Sequence, residues 1–353
     1  VAYGTLTTLD TLAASQQTIA DIGEDNAFRA IDASLQAHNE IMRSLVPFAE
    51  MTTDRQRRYG GDDNMSLDEV DEFGRGDAQK IAAGVTVGFP LRLFDVSVQW
   101  TRKYFQNATG AELAAQFTAV QKAHRKRVIR EIKRAIFTPT NTDNWVDRLV
   151  DHVELDLKAL VNADSAAIPS GPNGESFDGA THTHYLARAG GSLAASDIVA
   201  LLETVREHYN SGQQMLYINR AQEAAVRAMD ANFTAYLDAR IVGSVTENQS
   251  RGTLAPTNLY NRAIGVFDGA EVWVKPWVPA NYMFTWIDGV PPPLVERERR
   301  AGSGNLVLAA EDEAYPLRAR TLEAEFGFGV WNRTNGAVLY TGNTSYSAPT
   351  ITD

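Results

Sequence analysis

Cysteine is absent from the 353 residues of this chain. Disulfides, thiolate zinc sites, iron–sulfur clusters and a cysteine nucleophile are thereby excluded. No apolar run reaches the eighteen or so residues that a membrane-spanning helix needs. The opening residues Val1 to Thr8 lack both a basic and an apolar stretch, so the expectation is synthesis in a cytoplasm without export. Cations are in deficit: 33 basic residues face 44 acidic ones, for a net charge of −11. That argues against a surface that coats nucleic acid throughout, while leaving room for a local basic face. Recognisable catalytic motifs are also missing. There is no Gly-x-x-x-x-Gly-Lys phosphate loop and no Gly-x-Ser-x-Gly elbow. Gly327-Phe328-Gly329-Val330 sits in a strand pattern with no following helix, so it is not a dinucleotide fingerprint. Asp62 to Phe73 resembles a calcium loop only faintly, since Leu67 replaces the turn glycine and Phe73 the bidentate glutamate.

What remains is a globular composition, 44% hydrophobic and 22% charged, of a length that suits two or three compact units. Residues 8–46 read as amphipathic helix in two stretches. Leu9, Leu12, Ile19 and Ile22 form one stripe, and Phe28, Ile31, Leu35, Met42 and Leu45 the other, with Gly23 between them and Pro47 as the stop. Periodicity alone favours helices on the domain's own core over an arm lying on neighbouring subunits. From 49 to 100 the chain turns polar. Arg55, Arg57 and Arg58 precede Gly60-Gly61 and an acidic stretch that includes Asp62, Asp63, Asp68 and Glu69. Alternation then runs through Val85, Val87, Phe89, Leu91 and Leu93 and changes phase at Phe94, which predicts a bulge or a new strand there. The whole reads as a long hairpin with a charged tip and little core of its own.

Residues 111–137 carry the clearest helical pattern, with Leu113, Phe117, Val120, Val128, Ile132 and Ile136 on one stripe. Lys122, Arg125, Lys126, Arg127, Arg130, Lys133 and Arg134 crowd its second half against the single Glu131. Such a face is usually solvated; anionic neighbours, either nucleic acid or the acidic tip of another subunit, are the alternative. Farther on, Trp145 to Leu160 suggests a strand or a strand–helix mix, 164–180 a loop, and Ser196-Asp197 the cap of a helix to Tyr209. Met215–Asn219 reads as a strand, Arg220–Met229 as a helix, Ile264–Val274 as a hairpin on Asp268-Gly269, and Tyr282–Ile287 as a strand. Leu322–Val330 alternates, and Asn335-Gly336 predicts a tight turn into Val338–Tyr340. His182-Thr183-His184 is the one pair with plausible metal geometry. A third ligand cannot be assigned, and His38, His124, His152 and His208 do not cluster with it in sequence. No metal and no cofactor are therefore expected.

The order of elements, together with the residues of the C-terminal half, resembles the major capsid proteins of tailed bacteriophages, of the Hong Kong 97-type α+β fold. Gln214–Arg220 followed by Ala224-Ala225-Val226 resembles that family's strand-Asn-helix element. Ala263–Val272 resembles its Gly-x-Pro-Val hairpin, with Glu271 where proline is frequent. Leu317 to Leu339 resembles its closing strand. The resemblance implies an N-terminal helical arm (1–48), an E-loop hairpin (49–100), a peripheral domain (101–191) with the 111–137 spine helix, an axial domain (192–290), peripheral closing strands (291–345) and a tail (346–353). It implies hexamers and pentamers that close into an icosahedral shell around packaged double-stranded DNA. Further partners would be a separate scaffolding protein, a portal and, in some members, a decoration protein; the shell, part of a virion, would assemble in the host cytoplasm. Arg55, Arg57, Arg58, Asp62, Asp63, Asp68 and Glu69 become candidate intersubunit contacts, and the seven cations of the spine helix a candidate lumen-facing surface. Some members weld subunits through a lysine–asparagine bond, but no motif aligns Lys80 with Asn332 or Asn335, and that chemistry is not carried over. Two alternatives stand beside the non-enzymatic shell reading: an encapsulin-like nanocompartment, and a metal-dependent enzyme using His182 and His184.

Overall fold

The computed structural model describes residues 9–60, 65, 67, 69–72, 74, 76–79, 84–190, 192–236 and 261–351. Asp62, Asp63, Asp68 and Lys80 lie outside them.

The spine helix spans Gly110–Phe137. Thr109 starts it with a capping box, its hydroxyl accepting from Glu112 N while the Glu112 carboxylate accepts from Thr109 N. Its predicted stripe is buried throughout. Against that stripe lie the short helices Leu9–Ala13 and Ile19–Ile22 and the longer Glu24–Ser44, which contribute Leu12, Ile19, Phe28, Ile31, Leu35 and Met42 to the same core. Gly110 permits the approach: a Cβ there would meet Leu12 and Ile22 side-chain carbons at 2.8 and 2.9 Å. The described N-terminal helices therefore sit on the chain's own core, as periodicity favours. An arm without a private core is not what these residues form, because both of their apolar stripes are spent on the spine helix.

The strand Leu317–Val330 organises a five-stranded sheet. It pairs antiparallel with Arg92–Thr101, Leu294–Glu298 and Val307–Ala314, and Ala49–Thr52 joins parallel on Leu294–Glu298. A seven-stranded sheet forms the second body, in the order Tyr185–Ala187, Ala337–Tyr340, Tyr282–Asp288, Gln213–Ile218, Ala270–Val274, Arg262–Phe267, Phe233–Ala235. The helix Ala195–Arg206 covers it and buries Ile198, Leu201, Leu202 and Val205 in a separate core. The hairpin turn at Asp268-Gly269 is as expected, both residues having positive φ (45° and 82°). The expected strand at 215–219 and helix from Arg220 also form, Asn219 capping the latter by accepting from Ala221 N.

The phase change at Leu93-Phe94 marks a new strand: Arg92–Thr101 begins one residue before it, separate from Val85–Gly88, and the break lies at Pro90. Pro90 has no N–H for a ladder, and Phe89 and Leu91 on either side are both buried. Gly327 and Gly329 make room for this crossing; a Cβ on Gly327 would stand 2.1 Å from the Pro90 carbonyl oxygen. Asn335-Gly336 does not join paired strands, since Leu317–Val330 and Ala337–Tyr340 belong to different sheets. Buried Asn335 instead clamps the chain, its Oδ1 accepting from Ile287 N at 2.8 Å and its Nδ2 donating to Ile287 O and Pro291 O. Val307–Ala314, where no strand is expected, is an edge strand exposed on both faces. Without a buried face it shows no alternation to read.

Candidate functional site

The extended 49–100 segment is rooted in the body at both ends. Gln56–Tyr59 pairs antiparallel with Val85–Gly88, and Phe89 N donates to Arg55 O at 2.9 Å just below. Tyr59, Val87 and Phe89 close a small core with Val295. The buried pair Arg297–Asp147, at 2.7 Å, adds a further tie, Arg297 also donating to Phe89 O at 2.8 Å. Two of the three arginines singled out in this segment already have partners within the chain. Arg55 pairs with Asp151, and Arg57 with Asp54 at 2.7 Å and Glu50 at 3.2 Å. Their hydrogen bonds hold the Asp151 and Asp54 carboxyls below the usual range. Arg58 and Glu69 are exposed.

The basic face of the spine helix divides in two. Lys122, Arg125 and Lys126 are exposed, whereas Arg127, Arg130, Lys133 and Arg134 are half-buried. The buried Glu131 draws in Arg127 at 3.0 Å and Arg134 at 3.1 Å, with Arg92 of the neighbouring strand at 3.8 Å. Arg127 also lies over the Phe94 ring, 4.1 Å from its centroid. Burial pushes the Lys133 amine down. The half nearer the C-terminus is thus an internal ion cluster, and only the exposed trio has the character of an outward-facing electrostatic surface.

Around His182 the structure departs from the sequence expectation. His182 and His184 flank Thr183 at the end of the 164–181 loop, immediately before the strand Tyr185–Ala187. Glu207 and His208 follow the helix Ala195–Arg206. The two elements meet, so that the Nε2 atoms of His182, His184 and His208 lie 3.1, 3.2 and 3.2 Å apart. Glu207 Oε1 is 3.4 Å from His182 Nε2. The histidines therefore do cluster, and third and fourth donors exist. Separated by more than twenty residues and placed on different elements, they leave no spacing signature; only the folded topology joins them. Burial lowers the pKa of His182 and takes His208 down to about 3. His184, fully buried, falls well below the usual value, its two histidine neighbours adding to the desolvation.

Asn332 and Asn335, the asparagines weighed for a covalent weld, are buried with their amides committed to Pro291 O and, for Asn335, Ile287.

No family model matches the sequence, and neither does any curated protein. Solved structures do match. A chain of Mycobacterium phage Patience shares 20% identity over 90% of this chain and 88% of that one, with a TM-score of 0.65. More distant are the capsid of a native GTA particle (14% identity, 85% of this chain and 90% of that one, TM-score 0.49) and the holo-SrpI encapsulin complex from Synechococcus elongatus PCC 7942 (12%, 87% and 90%, 0.46). The spine helix, the two sheets, the rooted extended segment and this near full-length superposition on a phage chain lead to one conclusion: the chain has the Hong Kong 97-type fold.

Proposed function

We propose that this chain is a major capsid protein that assembles as hexamers and pentamers into an icosahedral shell around double-stranded viral DNA. The observation that carries the reading is the Hong Kong 97-type fold across nearly the whole chain, matched to a phage protein over nearly its whole length. A second feature supports it. The ribbon Gln56–Tyr59 with Val85–Gly88 is anchored by a buried ion pair and a small core, far more fixation than a connecting loop needs. A firm root suits a segment that must carry load where it reaches an adjacent subunit. Arg58, the acidic tip and Glu69 are then the intersubunit contacts; Arg55 and Arg57 shape the root from within the chain. The exposed trio Lys122, Arg125 and Lys126 faces the lumen and offsets part of the repulsion between an acidic wall and DNA. The shell role needs no catalytic site. A scaffolding protein, a portal and a decoration protein are the further partners, and the virion is the place of residence.

Negative-stain microscopy of the purified protein tests the reading. Closed shells are expected, filled with DNA when taken from productive infection. Monodisperse particles of single-subunit size under all assembly conditions would overturn it. Shells that enclose a protein cargo instead of DNA would favour the nanocompartment alternative.

A further inference from the structure

Three imidazole Nε2 atoms converging on one point pose a chemical problem. A neutral imidazole has one N–H and one lone pair, on different ring nitrogens. His184 Nδ1 lies 2.7 Å from the Gly336 carbonyl oxygen, so Nδ1 carries the proton and Nε2 presents its lone pair to the cluster. Among three Nε2 atoms all within 3.2 Å of one another, hydrogen bonds cannot satisfy every pair. A single N–H on His182 or His208 leaves at least one pair facing lone pair to lone pair, and a second N–H points proton at proton. Protonating the rings places like charges side by side in a buried site. A cation at the centre resolves all three contacts at once.

The dimensions fit. Zinc–imidazole bonds of about 2.0–2.1 Å in a tetrahedron put the nitrogens roughly 3.3 Å apart, close to the triangle found here. Glu207 offers a fourth donor, with one oxygen 3.4 Å from His182 Nε2 and 4.0 Å from His208 Nε2. All four donor atoms lie within 4.8 Å of one another. The Gly336 hydrogen bond supplies the orienting outer contact that metal-bound histidines characteristically make. Phe177 packs its ring against His208 at 4.2 Å and His182 at 5.1 Å, screening the site on the loop side. Arg333, whose charge is felt at His184, pairs with Asp164 at 2.8 Å.

We infer that His182, His184, His208 and Glu207 form a tetrahedral site for a divalent transition metal of the zinc class. Four protein donors leave no open position, so the site is structural. Its metal staples the end of the 164–181 loop to the end of the Ala195–Arg206 helix, and through His184 to the chain entering Ala337–Tyr340. This is the cross-link that a chain without cysteine can still make.

The test uses the untagged full-length protein, stripped with chelator and titrated with cobalt(II). The expected result is one equivalent bound per chain, with the intense visible band of four-coordinate cobalt, displaced by zinc. Zinc should raise the melting temperature of the stripped protein. His182 is partly exposed at the rim, so His182→Ala should fold and lose both the band and the zinc-dependent shift, while His152→Ala in the exposed 150–153 stretch should retain both. Glu207→Gln should retain binding at least tenfold weakened. Failure of the folded parent to bind cobalt stoichiometrically, or unchanged binding by His182→Ala, would overturn the site. Neither result touches the shell proposal, which is read by microscopy alone.

Discussion

Asp147 and Arg297 meet at 2.7 Å with side-chain exposures of 0% and 4%, and one further polar atom on each has no partner among the described residues. Desolvation makes such a pair sensitive to losing one member, because the survivor is left charged and buried. Asp147→Ala should therefore cost about 3–5 kcal/mol by chemical denaturation. Glu131→Gln should cost less, roughly 1–3 kcal/mol, although it strips a carboxylate from two close arginines. Those arginines are 28% and 38% exposed and can rehydrate. Equal losses from the two substitutions would contradict this ranking. Glu296 gives a pH signature. Burial, with the neighbouring Glu298 adding, pushes its carboxyl up to about 7. The folded state thus favours the protonated form. The associated stability is complete below the ordinary glutamate range and is lost as pH rises through about 7. Glu296→Gln mimics the protonated acid, so its stability relative to the parent should be higher at pH 8 than at pH 5, by about 1–3 kcal/mol. His124, lowered to about 4 by burial, acts in the opposite sense: its contribution is present above the ordinary histidine value and is lost as pH falls toward 4. Comparing Glu296→Gln with the parent at both pH values isolates the Glu296 contribution, since His124 is common to both.

Elements that bury a face are legible in the amino-acid pattern. The spine helix and the Asp268-Gly269 hairpin show the period their geometry requires, and the strands at 213–218 and 282–288, buried on both faces, show as short apolar runs. The Val307–Ala314 strand is not legible, because a strand exposed on both sides has no reason to alternate. Asn335-Gly336 misleads because turn chemistry reports a bend and is silent about which strands it joins. Within the candidate site, His182 and His184 stand out as neighbours in the chain, while Glu207 and His208 join them only when folding brings a loop and a helix end together. The extended segment permits a direct test. Tyr59 pairs with Val85, so removing 60–76 leaves residues 77–84 to close the ribbon without disturbing its root. The deleted protein should stay folded by circular dichroism yet fail to close shells under the microscope; normal shells would remove the tip from the set of intersubunit contacts. Gly327→Ala tests the crossing at Pro90. With no room for a Cβ beside that carbonyl, it should destabilise by at least about 1–3 kcal/mol, the usual toll of overpacking.

On the proposed reading, an acidic container has to tolerate its own charge and that of DNA. With a net charge of −11 per chain, such a shell would concentrate negative charge on its wall, and cations facing the lumen would matter accordingly. Replacing Lys122, Arg125 and Lys126 together by glutamine should leave subunit stability within about 0.5 kcal/mol per site, as surface changes do. Shells built from that variant should package less DNA, measured by the ratio of ultraviolet absorbance at about 260 and 280 nm in purified particles. Unaltered DNA content would place the trio elsewhere than the lumen. The apolar content, by contrast, is largely spent within the subunit: both sheets and the N-terminal helices close on their own cores.

The strand Leu317–Val330 also sets a clock on synthesis. Its longest partner, Arg92–Thr101, leaves the ribosome more than two hundred residues earlier. At translation rates of about 5–20 residues per second, that strand waits roughly 10–45 s before its ladder can form. During the interval the nascent chain carries an unpaired edge with Phe94, Val96 and Val98 along one side, the kind of edge on which neighbouring nascent chains aggregate. Synthesis of Leu317–Val330 is thus what closes that edge.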